Sequence, residues 1–197
     1  MTLLTNALLF LLKTLCDLLT LAFLLRFYFQ LTRISFQNQA AQIIVTLTNF
    51  AVKPMRRIMT ILSHLGLSKL DVSTLLLAYL TQLILVICTQ WLQGLPFPMT
   101  SSVWLILLTI ALISSITLSL TIFLYAVLIQ AILSWVNPHT PIAPILNSLT
   151  HPILRVFRKF IPLAGNIDLS PLVFIIAAQL LLTTILMPLE NSLFAML

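Results

Sequence analysis

Apolar residues run almost without a break over residues 3–31, 73–93, 101–135 and 171–189. Crossing about 30 Å of hydrocarbon takes roughly 20 helical residues, so each run is long enough to span a bilayer and the chain is predicted to form four transmembrane helices. Between the second and third runs lies only a short uncharged turn, residues 94–100, in which Gly94, Pro96 and Pro98 break helices. The two central helices are therefore expected to form an antiparallel hairpin. The other two connections are longer and carry apolar residues at helical spacing: Ile43, Ile44, Leu47 and Phe50, then Met55, Ile58, Met59 and Leu62 in one, and Ile142, Ile145, Leu146 and Leu149, then Ile153, Val156, Phe157 and Phe160 in the other. Both are expected to be amphipathic elbows lying in the membrane interface, with cations turned toward anionic headgroups.

The two halves repeat each other. Pro54 has an arginine three residues on, Arg57, and is followed by Asp71, Ser73 and Gln82; Pro152 has Arg155, then Asp168, Ser170 and Gln179. In both copies the glutamine stands eleven residues beyond the aspartate. Such a repeat divides the chain into residues 1–93, a turn over 94–100, and 101–197. Ser170 before Pro171 reads as a helix start: the hydroxyl can cap free N–H groups, and proline at the first helical position gives up only a donor without a partner. Asp71 and Asp168 then sit by the positive ends of helix dipoles. The fold class is all-α, with four membrane helices arranged as two parallel helix-pair repeats joined through interfacial elbows.

Charge orients this arrangement. The chain has 10 Lys and Arg against 4 Asp and Glu, and eight of the basic residues (Arg33, Lys53, Arg56, Arg57, Lys69, Arg155, Arg158 and Lys159) fall in the two long connections. The positive-inside rule puts both connections in the cytoplasm and both termini outside. With 60% hydrophobic and 7% charged residues and a mean hydropathy of +1.14, the solvent is mainly lipid, and the basic excess reports topology rather than nucleic-acid binding. Cys16 and Cys88 lie in separate apolar runs without CxxC spacing, which suggests neither a metal site nor a disulfide. The first residues lack the basic region and small-residue site of a cleaved signal, so the first span is expected to be retained.

Several polar groups fall at membrane depth, where they are costly and mark functional candidates. On the first helix Asn6, Lys13, Asp17 and Thr20 cluster within about 60° and should face protein. Lys13 and Asp17, one turn apart, are expected to neutralise each other near Gln82 or Gln179. Arg26 falls on the opposite face near the cytoplasmic end, where its side chain can snorkel to the headgroups. Ser114, Ser115, Thr117, Ser119 and Thr121 on the third span suit close helix packing. As one helix that span would be about 52 Å long, so it is expected to tilt, break or, as the preferred reading, extend toward the elbow near Trp135.

The segments Ala131-Ile132-Leu133-Ser134-Trp135-Val136-Asn137-Pro138, His151-Pro152-Ile153-Leu154-Arg155, and Ile161-Pro162 through Asp168-Leu169-Ser170-Pro171-Leu172 resemble the YGGT family of small bacterial and plastid membrane proteins. The first half is a degraded copy that keeps Arg26, where the family often has an arginine, and lacks the Ser-Trp pair. The resemblance implies a two-repeat protein of the proteobacterial type in the bacterial inner membrane. It further implies roles in osmotic or potassium tolerance, in cell division or nucleoid distribution, or in plastid cytochrome maturation, and it carries over no catalytic residues.

An enzyme needs convergent reactive groups, yet the four acids are scattered and His64, His139 and His151 all lie in connections. No catalytic residue, metal site or cofactor is expected. A secondary transporter usually shows inverted repeats with broken helices, whereas these repeats are parallel. The expected function is a non-enzymatic scaffold or assembly factor; the alternative is a potassium or proton channel or transporter component. Expected partners are membrane lipids, anionic headgroups among them, other membrane or cytoplasmic proteins, and further copies of the chain.

Overall fold

The computed structural model describes residues 3–34, 38–62, 72–94, 101–137, 140–160 and 168–197. Asp71, His64, Lys69, His139, the Pro96 and Pro98 turn and the Ile161-Pro162 segment lie outside the described residues. The elements in order are α1 (Leu3–Leu31), α2 (Gln39–Leu62), α3 (Val72–Leu92), α4 (Ser101–Val136), α5 (Ala143–Phe160), α6 (Ser170–Leu181), a π turn (Leu182–Leu186) and α7 (Met187–Phe194). Among the described residues four helices are long and apolar enough to cross a membrane: α1, α3, α4 and the composite α6–π–α7 from Ser170 to Phe194. The shorter proline-bearing α2 and α5 are the elbows, with Pro54 and Pro152 inside them.

Each repeat is one long helix, one elbow and one return helix, and each elbow packs on both of its own spans. α1 stops in a left-handed cap: Arg33 has φ 55°, its N–H donates to the Gln30 carbonyl at 3.2 Å, and the Ile34 N–H donates to the Phe29 carbonyl at 2.9 Å. Ile34 and Phe29 then pack in one cluster, the apolar contact that commonly accompanies this cap. At the other end of the bundle α3 stops at Gly94, whose φ of 72° suits a residue without Cβ.

Lipid tails are as apolar as leucine, so burial from water cannot drive these spans together; close packing and hydrogen bonds between helices do so instead. Small side chains occupy the crossings, with Thr20, Thr74, Ala78 and Ala111 wholly buried. Phe23, Leu24, Val52, Ala78 and Ile122 form the core of the first repeat together with α4. Leu124, Val127, Leu154, Phe174, Ala178 and Leu182 form that of the second. A third cluster takes in both elbows: Ala41 of α2, Phe29 and Ile34, Ala126 of α4, and Ile145, Leu146 and Leu149 of α5. The repeats are further tied by a hydrogen bond between the Tyr28 and Ser119 hydroxyls, and Tyr28 stacks edge-on against Phe123 at 4.6 Å.

α4 is continuous to Val136, with no break. Its length is explained by its ends: Trp104 and Trp135 are both exposed, and 31 residues separate them. That separation is about 46 Å along a helix, close to the roughly 40–45 Å thickness of a bilayer with its headgroups, where tryptophan is favoured.

The elbows divide their apolar residues between the bundle and the outside. In α5, Ile145, Leu146, Leu149 and Leu154 are buried, Val156 and Phe160 stay outward, and Phe157 meets Phe174 edge-on at 5.4 Å. In α2, Ile43, Leu47, Phe50 and Ile58 are exposed, and the inward face is made of Ala41, Thr48 and Val52. A helix with a membrane beside it has two apolar surroundings, protein and lipid, so its bulky residues can face outward while small ones permit close approach.

The start of α6 also exchanges two roles. The Ser170 side chain does not cap; Ser170 is the first helical residue, and its own N–H donates to Asp168 Oδ1 at 3.0 Å. The second carboxylate oxygen, Oδ2, accepts from Arg158 Nε at 2.8 Å, which latches the end of α5 to the start of α6. Burial pushes the Asp168 carboxyl up, but hydrogen bonding from Ser170 and Arg158 and the guanidinium charge outweigh it and hold the group below the usual carboxylate range. A depressed folded-state pKa contributes stability that is present above the unfolded value of about 3.9 and is lost as pH falls through the folded value. Asp168→Asn should therefore flatten the acid limb of a melting-temperature profile in nanodiscs while costing no more than about 1 kcal/mol at neutral pH, because the pair is partly solvated. An unchanged acid limb would exclude the latch as its source.

Candidate functional site

Two groups of polar residues connect different helices of the bundle. The first surrounds a cavity of about 440 Å³ lined by every span: Lys13 and Asp17 from α1, Gln82 and Thr89 from α3, Ser114 and Thr117 from α4, and Glu190 and Asn191 from α7. It reaches from the middle of the bundle toward the end that carries the α3–α4 turn, away from the elbows.

Asp17 is held by α3, not by its neighbour on α1. Gln82, buried to 2% exposure, donates through Nε2 to Asp17 Oδ1 at 3.0 Å and to Thr20 Oγ1 at 3.2 Å. Lys13 lines the same cavity one turn earlier, with its side chain exposed. The self-neutralised Lys13 and Asp17 pair is thus replaced by an amide-held carboxylate with a lysine nearby. In a helix, Lys before Asp four residues later is the weaker orientation for an ion pair. Opposite Asp17, Ser114 donates to Glu190 Oε1 at 2.7 Å. Ser115 and Thr121 on α4 bond back to their own helix at Ala111 and Thr117, whereas the shielded Thr117 hydroxyl has no hydrogen-bond partner among the described residues.

Glu190 is absent from the sequence candidates because the apolar run ends at residue 189, just after Pro188. The helix nevertheless continues. Proline lacks the N–H that would bond the fourth carbonyl back, and its ring crowds that turn. A π turn immediately precedes it, in which the Met187 N–H reaches five residues back to the Leu182 carbonyl. One extra residue in a turn rotates the rest of the helix by about 100° relative to an uninterrupted one, which keeps Glu190 on the inner side below Leu182 and Leu186. A proline within a span, succeeded by an acid, was the available signal.

The second polar place is at the elbow end. Arg26 is only 5% exposed and does not snorkel. Its Nη1 donates to Thr48 Oγ1 at 2.7 Å, to Asn49 Oδ1 at 3.1 Å and to the Val45 carbonyl at 3.4 Å, all on α2. The second repeat has the same clamp without the charge: Gln130 on α4 donates to Asn147 Oδ1 at 2.9 Å and accepts from the Thr150 hydroxyl on α5. Asn49 stands five residues before Pro54 and Asn147 five before Pro152, so the two clamps are repeat-equivalent. Gln130 is absent from the sequence candidates because it lies outside the repeated Asp-x-Ser and glutamine pattern that marks Gln82 and Gln179.

Of the six expected intramembrane residues, the structure therefore brings together Lys13, Asp17 and Gln82. Asn6 is exposed near the start of α1, Arg26 belongs to the clamp, and Gln179 is exposed on the outside of α6. The reason for the last is a shift of one residue. Thr74, Ala78, Gln82, Val86 and Gln90 form the inward row of α3, and Ser170, Phe174, Ala178, Leu182 and Leu186 that of the return helix. Ala178 thus takes the inward place of Gln82, and Gln179 is rotated about 100° outward. Lys53, Arg56, Arg57, Arg155, Arg158 and Lys159 are on the elbows, and all six are exposed. Ser73 and Ser170 are buried at the starts of α3 and α6. Among the described residues no group of three His, Cys, Asp or Glu is placed to hold a metal ion.

Chemically, the cavity sets two carboxyl groups, one ammonium, an amide and hydroxyls against one another in a low-dielectric wall, an arrangement able to hold a small cation or a proton. The clamp is mechanical. Arg26→Leu should cost about 2–4 kcal/mol, because Arg26 makes charge-assisted bonds in a buried place, and Gln130→Leu about 1–2 kcal/mol, both read from unfolding in mixed micelles. Equal and negligible losses would show that the elbows are held by apolar packing alone.

The model of the CCB3/YggT family matches the chain twice, over residues 5–92 and 109–189. An uncharacterised protein of Pseudomonas aeruginosa is 36% identical over 183 residues, covering 90% of this chain and 87% of that protein. The uncharacterised protein YggT of Escherichia coli K12 is 32% identical over 172 residues, covering 87% and 85%, and an uncharacterised protein of Vibrio alginolyticus is 32% identical over 175 residues, covering 88% and 90%. No solved structure matches it. Matched across both of its repeats by one family model, the chain belongs to the CCB3/YggT family.

Proposed function

We propose that the protein acts without catalysis, as a scaffold or assembly factor of the bacterial inner membrane that holds two basic interfacial helices at the cytoplasmic face. The observation that carries this reading is the duplicated clamp. Arg26 and Gln130 each tie a long span to its elbow, so the elbows are held as parts of the bundle. A third apolar cluster, which includes Phe29 of α1 and Ala126 of α4, takes in residues of both elbows. On α2 three faces divide the labour: Ala41, Thr48 and Val52 toward the bundle, Ile43, Leu47, Phe50 and Ile58 outward, and Lys53, Arg56 and Arg57 on the remaining arc. Such a helix suits an interface, apolar face in the acyl boundary and cations at anionic headgroups or at a cytoplasmic partner. The basic bias of the elbows supports a topology with both termini outside. Purification of tagged protein from native membranes in mild detergent should recover a stoichiometric partner that is lost when Lys53, Arg56 and Arg57 are replaced by Gln. Recovery of the chain alone, or reporter fusions at residue 97 that read cytoplasmic, would refute the scaffold or its orientation.

A second reading, a component that moves potassium or protons in osmotic homeostasis, is favoured by the cavity. Asp17 and Glu190 are two of the four acids of the chain, they come from different repeats, and both line it. Liposomes holding the protein should then show potassium or proton flux that falls at least about tenfold in Asp17→Asn and Glu190→Gln, and a deletion strain should grow poorly at low potassium and high osmolarity. No flux above empty liposomes would dismiss this reading and leave the scaffold.

A further inference from the structure

Gln179 is an amide in the wrong solvent. The composite span runs from Ser170 to Phe194, so its middle falls at residue 182, and Gln179 lies three residues, about 4.5 Å, from that level. Its side chain is exposed, and it has no side-chain hydrogen bond among the described residues. The hydroxyl residues around it solve the same problem alone: Thr183 donates to the Gln179 carbonyl at 2.9 Å and Thr184 to the Leu180 carbonyl. On the other spans Thr14 and Thr109 do likewise, at Phe10 and Leu105. Gln82, the other mid-span glutamine, is buried against Asp17 and Thr20. An amide presents two donors and an acceptor that water cannot reach at this depth, and leaving them unmade costs several kcal/mol.

The remaining residues of that face match a helix contact. Leu172, Ile176, Gln179 and Thr183 lie within about 60° of one another on the helix wheel, all are exposed, and Gln179 alone among them has unmet hydrogen-bonding groups. We propose that this face of α6 is an interface with a second copy of the chain, in which the two Gln179 amides pair across a two-fold axis. An amide is complementary to itself: each carbonyl accepts from the other's N–H, so one copy supplies what the other lacks. A two-fold interface presents the same patch from both sides and meets this condition with no further partner. Interhelical amide bonds of this kind drive association of membrane helices. The interface is on the lipid side, apart from both the cavity and the clamps, so it stands or falls separately from either reading of function.

The test uses full-length protein in native membranes, with Cys16 and Cys88 replaced by alanine. Single cysteines at Ile176→Cys and Thr183→Cys, with Gln179 retained, should give disulfide-linked homodimers under mild oxidation. Leu181→Cys, exposed on another face, should give few. Adding Gln179→Leu should lower cross-linking at position 183 about tenfold or more, and Gln179→Asn should restore part of it. Gln179 supports no side-chain contact within the described residues, so Gln179→Leu should leave the melting temperature of the purified monomer unchanged, which separates lost pairing from lost folding. Equal cross-linking at 181 and 183, none at 176 and 183, a product with the mass of a different protein, or indifference to Gln179→Leu would each overturn the proposal.

Discussion

Inside a bilayer no water is available to complete the hydrogen bonds of a polar side chain, so each one must find its partner in protein. Arg26, Gln82, Ser114 and Gln130 obey that constraint within one copy of the chain. Arg26 cannot remain beside lipid and cannot be released to water while packed at 5% exposure, so it takes three acceptors from α2 and brings an elbow against its own span. Gln130 does the same for α5 with a neutral amide. Gln82 draws α1 and α3 together, and Ser114 meets Glu190 from across the second repeat. Polar groups therefore specify which helices meet, and small residues at the crossings let them approach.

The same constraint explains why the two repeats are alike in architecture and unlike in chemistry. Each has a long span, a proline-bearing elbow and a return span, with an equivalent clamp between the first two. Yet the first repeat places charge where the second has an amide, and the second places Ala178 where the first has Gln82. The acids of the cavity reach it by different routes. Asp17 does so from a straight helix, and Glu190 from a helix opened by a π turn ahead of Pro188. Such turns arise often at functional positions, since they shift a side chain onto another face without ending the helix. The result is a pseudo-symmetric shell around a cavity to which each repeat contributes one carboxyl group.

The division between sequence and structure runs along chemical lines. Hydropathy, charge bias and the spacing of Pro54 and Pro152 determine four spans, two elbows and a duplicated plan, because lipid imposes a length and a composition on whatever crosses it. Those constraints act on each segment by itself and are legible in one dimension. They also expose Lys13, Asp17 and Gln82 as costly at their depth. What they leave open is azimuth. One residue turns a helix by about 100°, so a register difference between α3 and α6 separates buried Gln82 from exposed Gln179, and a π turn admits Glu190 to the cavity. Lipid and protein interior are equally apolar, so hydropathy could not distinguish the inward face of α2 from its outward one, or foresee that Arg26 would clamp an elbow. Only the tertiary structure, which says which surface meets which, decided those matters.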